Sequence, residues 1–122
     1  MGVGAIEALR AKNLAGKVKV AGVNAIPEMI QAIKNGEAVA TISTDPLWQG
    51  GIAMAMCVDA KSGKYDITKV DEAHRYWLAS VKLIDTSNVQ DYLDKYINGS
   101  PTFDYSDYYG GKYLGAGAAP QK

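Results

Sequence analysis

Two β-branched runs enclosing one short amphipathic helix dominate residues 18–46. The first, Val18-Lys19-Val20-Ala21-Gly22-Val23, closes on Asn24. The second, Val39-Ala40-Thr41-Ile42-Ser43, closes on Thr44-Asp45-Pro46. Between them Pro27 opens a helix whose Met29, Ile30 and Ile33 recur at helical spacing, and Asn35-Gly36 stops it. Two strands separated by a single helix pair in parallel, because a parallel pair needs a crossover of this size. In an open parallel sheet, ligands bind in the crevice outside the carboxyl ends of the strands. Asn24 and the Thr44–Asp45 pair are therefore expected to look into one crevice.

The rest of the chain extends this pattern. Residues 4–13 read as a helix through Ile6 and Leu9, ending near Gly16 with its tolerance of a left-handed cap. Residues 17–21 read as a strand and residues 38–43 as another, apolar enough to be covered on both faces. Pro46 starts a third helix running to about residue 60, with Asp45 as its natural N-cap. Gly50-Gly51 inside it marks either close packing or a later true start. Residues 65–73 are polar and irregular, residues 76–84 strand-like. A last helix opens at Thr86 or Ser87 and ends at Asn98-Gly99. From Ser100 the composition turns to Tyr, Gly and Asp, then Gly and Ala, with no period. The expected organisation is an α/β body over residues 1–99 and an extended tail over residues 100–122, draped on the body and frayed at Gln121-Lys122.

Composition narrows the function classes. Thirteen basic and thirteen acidic residues are interspersed over 122, so the basic stripe of a nucleic-acid binder is missing. No apolar run reaches the roughly 18 residues of a membrane span, and the N-terminus has no signal-peptide pattern. Cys57 is the single cysteine, in an apolar helical run with no basic neighbour, and reads as a buried small hydrophobe rather than a catalytic thiolate. His74 stands alone in a polar stretch and reads as a surface residue, and Trp48 reads as packing. Asp94, Asp104 and Asp107 lack the Gly and Glu positions of a calcium loop. With no nucleophile elbow, phosphate loop or zinc-binding pair, the chain reads as no enzyme, with no metal and no cofactor.

The segments in order carry a resemblance. Gly4-Ala5-Ile6-Glu7-Ala8-Leu9, Gly16 through Asn24, Pro27-Glu28, Ala32 through Gly36, Val39 through Pro46 with Gln49-Gly50, and Val81 through Asp85 with Asn88-Val89 resemble the C-terminal part of a type I periplasmic binding protein. This is the sugar-binding class that serves ABC transporters and shares its fold with LacI-type repressors. The resemblance covers about residues 1–93 and implies a partial doubly wound parallel sheet with flanking helices. It implies a sugar or similar polyol as ligand and the membrane subunits of an ABC importer as partners through a full-length parent, in the periplasm or outside the cell. Asn24 falls where the family usually has Asp, Thr44 on a polar contact position, and Asp45 beside it, with an N-cap role favoured. An Asn both donates and accepts where an Asp only accepts, which leaves hydroxyl binding intact and the sugar open. The family's Asn-Asp pair before residues 1–5 and its first lobe have no counterpart here, so the chain reads as a truncated fragment. The alternatives are a structural module that associates with itself or with the missing lobe, and the effector-binding core of a LacI-type regulator.

Overall fold

In a computed structural model, residues 1–75 and 81–108 are described. The chain divides into two compact units, one of Met1–Thr44 with Val81–Thr102, the other of the described residues within Asp45–Ser80 and Phe103–Lys122.

The first unit is the α/β body. Its elements are α1 (Gly2–Ala11), β1 (Ala21–Val23), α2 (Pro27–Lys34), β2 (Ala40–Ser43), β3 (Lys82–Asp85) and α4 (Val89–Tyr92), the last continued by a π-helical turn over Leu93–Ile97. The sheet order is β1-β2-β3. β1 and β2 are parallel, with Val23 opposite Ile42, as the α2 crossover requires. β3 returns antiparallel to β2, with Leu83 opposite Ile42 and Ile84 opposite Thr41. The sheet is thus an α/β sheet with one parallel and one antiparallel pairing.

One face of this sheet is buried under helices. Ile6, Met29, Ile30, Ile33 and Ile84 are all at most 2% exposed and form its centre, with Val89 and Tyr92 of α4 beside them. Pro27 presets φ at the start of α2, Glu28 complements the helix dipole, and Met29, Ile30, Ala32 and Ile33 form the inward stripe. On the surface, Arg10 grips Glu37 with two bonds, Nε to Oε1 at 2.8 Å and Nη2 to Oε2 at 2.6 Å, tying α1 to the turn after α2. The guanidinium holds the Glu37 carboxyl below the usual carboxylate range.

Three expectations shift here. Strand β1 begins at Ala21 instead of Lys17, because Lys17 and Val18 N–H groups donate to Leu14 O and spend that segment in a turn. Helix α1 stops at Ala11 on a left-handed Asn13, φ 56°, before Gly16 is reached. The central strand β2 is covered on one face only, since Ile42 remains 37% exposed.

The second unit is built on α3 (Pro46–Lys61). Trp48 and Ile52 are its buried residues. The glycine pair is explained by packing: a Cβ on Gly51 would sit 2.1 Å from Tyr105 Cζ, so only glycine lets that ring lie on the helix. Tyr108 Oη donates to Asp59 Oδ2, and its ring meets Tyr65 edge-on at 5.1 Å. The hydrogen bond to the Asp59 carboxylate, with a smaller part from burial, pushes the Tyr108 phenol up to about 12. Short 3₁₀ turns at Ile67–Lys69 and Glu72–His74 follow, each capped by an aspartate side chain. Residues 101–108 carry neither helix nor strand. Cys57 is exposed, contrary to the burial expected of it, because α3 is apolar on nearly every side and shields only part of that surface. The expected strand over residues 76–80 and the tail over residues 109–122 lie outside the described residues.

Candidate functional site

The carboxyl ends of β1 and β2 lie side by side, because the two strands are parallel and in register from Ala21–Ala40 to Val23–Ile42. Each strand ends in a polar residue, Asn24 after Val23 and Thr44 after Ser43. Asn24 N–H donates to Ile42 O at 2.7 Å, which extends the ladder by one step and pins Asn24 beside β2. Thr44 Oγ1 then donates to Asn24 Oδ1 at 3.4 Å. That bond is long, near the outer limit for a hydroxyl donor. The Asn24 side chain is exposed and that of Thr44 half-exposed.

The backbone here is unusual. Of the four non-glycine residues with positive φ among the described residues, three cluster at these strand ends: Asn24 at 80°, Ala25 at 47° and Asp45 at 56°. Asn and Asp tolerate the left-handed region better than other residues, whereas Ala25 pays a steric cost there. Strain of this kind persists where surrounding structure imposes it and concentrates at functional sites. The Ala25 backbone is held from below: its N–H donates to Thr41 Oγ1 at 3.3 Å, a buried bond from the end of β1 to β2.

A second buried polar pair supports the end of β2. Ser43 Oγ and Tyr92 Oη are 3.0 Å apart, with Ser43 4% and Tyr92 5% exposed. Tyr92 stacks on Tyr96 at 4.8 Å, which fixes its ring. This pair escapes sequence reading because its members stand 49 positions apart; the only local signal is a serine on the buried side of an apolar strand.

Of the three residues expected at the site, Asn24 and Thr44 are brought together in the first unit. Asp45 belongs to the second unit, is 7% exposed, and its carboxylate accepts from Trp48 N–H at 3.4 Å as the N-cap of α3. The Asn24–Thr44 pair presents an amide and a hydroxyl, both able to donate and accept, with no formal charge. This chemistry suits a neutral ligand carrying hydroxyl groups. A cavity of 410 Å³ in the second unit is lined by Met56, Tyr65, Ile67, Val70, His74 and Arg75. Its walls are largely apolar, and His74 Nδ1 is engaged by Asp71 Oδ1 at 2.7 Å, so it offers little to a polyhydroxylated molecule. Among the described residues no group of three or more His, Cys, Asp and Glu converges as a metal site, and no helix is long and apolar enough to cross a membrane.

Residues 1–65 match the periplasmic binding protein domain. The chain is also similar to solved structures. A twin-arginine translocation pathway signal protein from Burkholderia phytofirmans is 35% identical, with a TM-score of 0.81, over 94% of this chain and 35% of that one. An ABC transporter periplasmic solute binding protein from Actinobacillus succinogenes 130z, solved with bound D-allose, is 30% identical, with a TM-score of 0.58, over 75% of this chain and 29% of that one. No curated protein matches the chain. The chain thus spans 35% and 29% of the length of these two solved relatives. Parallel β1 and β2 with the α2 crossover, polar residues at both strand ends and the match over residues 1–65 agree: the chain belongs to the periplasmic binding protein domain family, whose members are binding proteins rather than enzymes.

Proposed function

We propose that the chain supplies one wall of a sugar- or polyol-binding cleft in an ABC import system, working in the periplasm. It corresponds in this reading to the C-terminal part of such a protein. The observation that carries it is the Asn24–Thr44 pair, two neutral donor-acceptor groups held side by side at parallel strand ends, Asn24 on a left-handed φ of 80°. The D-allose bound to the Actinobacillus protein supports the ligand class. Asn24 and Thr44 make the hydroxyl contacts, while Asp45 stays committed to α3. The membrane subunits of the importer are partners of the assembled two-walled protein. One wall by itself binds weakly, because it leaves much of the ligand in water.

The test is a titration of the chain with D-allose and other aldohexoses, followed by amide chemical shifts, which register weak binding. Shifts centred on Asn24 and Thr44 are expected. In a full-length protein carrying this segment, Asn24→Ala weakens sugar binding by about 1–3 kcal/mol, the cost of leaving buried partners unmatched. Unchanged calorimetric affinity in that variant removes Asn24 from the site, and the absence of strand-end shifts with every sugar refutes the reading.

A further inference from the structure

Asparagine is a thermolabile residue, most of all before glycine, which has no Cβ to crowd its own amide nitrogen as that nitrogen attacks the asparagine side chain. The chain holds this dipeptide twice, at Asn35-Gly36 and Asn98-Gly99. Both lie in the α/β body, each at the C-terminal end of a helical segment. Their asparagines have similar backbones, φ −80° and ψ −2° at Asn35, φ −87° and ψ −25° at Asn98. Conformation therefore does not separate the two sites, but hydrogen bonding does. Gly36 N–H donates to Ile33 O at 3.0 Å, and Asn35 Oδ1 accepts from Gln31 Nε2 at 3.0 Å. The next two N–H groups, of Glu37 and Ala38, both donate to Ala32 O, and Arg10 grips the Glu37 carboxylate. At the other site the Asn98 N–H donates to Leu93 O at 2.9 Å, and there the bonding stops. Among the described residues neither the Asn98 side chain nor the Gly99 N–H has a partner, and both residues are exposed. The fold retains both glycines. Gly36 holds φ 74°, and a Cβ on Gly99 would lie 2.6 Å from Lys95 O.

We propose that Asn98 is a site of spontaneous deamidation in the folded chain, and that the turn around Asn35 spares the second Asn-Gly pair. Gly99 N gives up its proton and attacks Asn98 Cγ, forming a new C–N bond. The bond from Cγ to the side-chain nitrogen breaks, and that nitrogen leaves with the proton as ammonia. The product is a cyclic imide. Water then adds at one of its two carbonyls and opens the ring, leaving either aspartate or the isomer whose main chain runs through the former side-chain carbon. No oxidant or reductant takes part. A carboxylate replaces an amide, so the zero formal net charge of the chain becomes negative. The new charge stands at the C-terminal end of the Leu93–Ile97 turn, where unsatisfied carbonyls disfavour an anion. That turn carries Tyr96, the ring stacked on Tyr92. The modification needs no sugar and stands apart from the Asn24–Thr44 reading.

The test is incubation of the full chain, native and in urea, at mildly alkaline pH, which favours loss of the amide proton. Cleavage after lysine then puts Asn35 and Asn98 on separate peptides. Mass spectrometry follows each, since conversion raises the mass by the difference between an acid and its amide, and fragment ions assign the position. In the native chain Asn98 is expected to convert about tenfold or more faster than Asn35, whose two extra hydrogen bonds must open first. In urea the two rates converge, because both asparagines precede glycine. In Asn98→Ser the mass rise on that peptide disappears, while Asn35 converts as before. Equal rates at the two sites in the native chain, an Asn98 that stays intact there, or a mass rise that persists on the same peptide of Asn98→Ser overturns the proposal.

Discussion

Neighbouring residues on β3 provide the sharpest test of the register. Ile84 is 0% exposed and Leu83 55% exposed, although they are adjacent and nearly isosteric. Ile84→Ala removes three buried carbon groups at about 0.8 kcal/mol each, or about 2.4 kcal/mol of transfer free energy. The cavity left under α2 and α4 adds roughly 1–2 kcal/mol, since these helices relax only in part. The expected loss is therefore about 3–4 kcal/mol, a large share of the 5–15 kcal/mol typical of a whole domain. Leu83→Ala, losing contacts already half in water, costs under about 1 kcal/mol. Urea unfolding followed by circular dichroism gives both values from midpoint shifts at constant slope. Ile84→Val, at about 0.5–1.5 kcal/mol, keeps the comparison measurable if the alanine variant does not fold. A larger loss at position 83 than at position 84 would mean that β3 is shifted by one residue against β2, which exchanges its two faces, and would refute the pairing of Ile84 with Thr41.

Two further outcomes follow from single side chains. Asp45 combines a left-handed φ of 56° with a capping carboxylate, so Asp45→Asn, which keeps both properties, is expected to unfold with the wild type, while Asp45→Ala loses about 2 kcal/mol from cap and backbone together in urea melts. Tyr108 is raised to about 12 from an unfolded value near 10; its contribution is fully present below about pH 10 and is lost as pH rises through about 12, so urea midpoints on the alkaline side should fall less steeply in Tyr108→Phe, and an unaltered slope would show that the Asp59 bond does not hold the proton.

How much could be read from residues alone depends on range. Pro27 and Asp45-Pro46 announce α2 and α3 within a residue, because preset φ and capping chemistry are local. Asn24 is legible for a similar reason, as an Asn that both ends a strand and tolerates positive φ. Ala25 shares that conformation without any local mark, and the partner of its N–H is the Thr41 hydroxyl sixteen residues away. The same holds for Ser43 and Tyr92. Strand β1 was legible as a strand but began late, since a β-branched run says nothing about whether a preceding carbonyl, here Leu14 O, captures its first N–H groups. The antiparallel return of β3 has no signature in its own four residues.

Cys57 and Ile42 failed for one shared reason, and it bears on stability as well as on reading. An apolar pattern records what a segment is composed to bury, not what is present to bury it. β2 buries Thr41 and Ser43 and turns Ile42 outward, while α3 carries apolar residues nearly all round and buries only Trp48 and Ile52. The uncovered side is therefore the one that tolerates change. Ile42→Lys, at a side chain already 37% exposed, should cost under about 1 kcal/mol in urea melts. The Ile84→Ala loss, measured in the Ile42→Lys background, should keep its size, because Ile84 is buried in the core cluster with α2 and α4 and not on the uncovered side. A loss that disappeared in that background would invert the assignment of the two sheet faces.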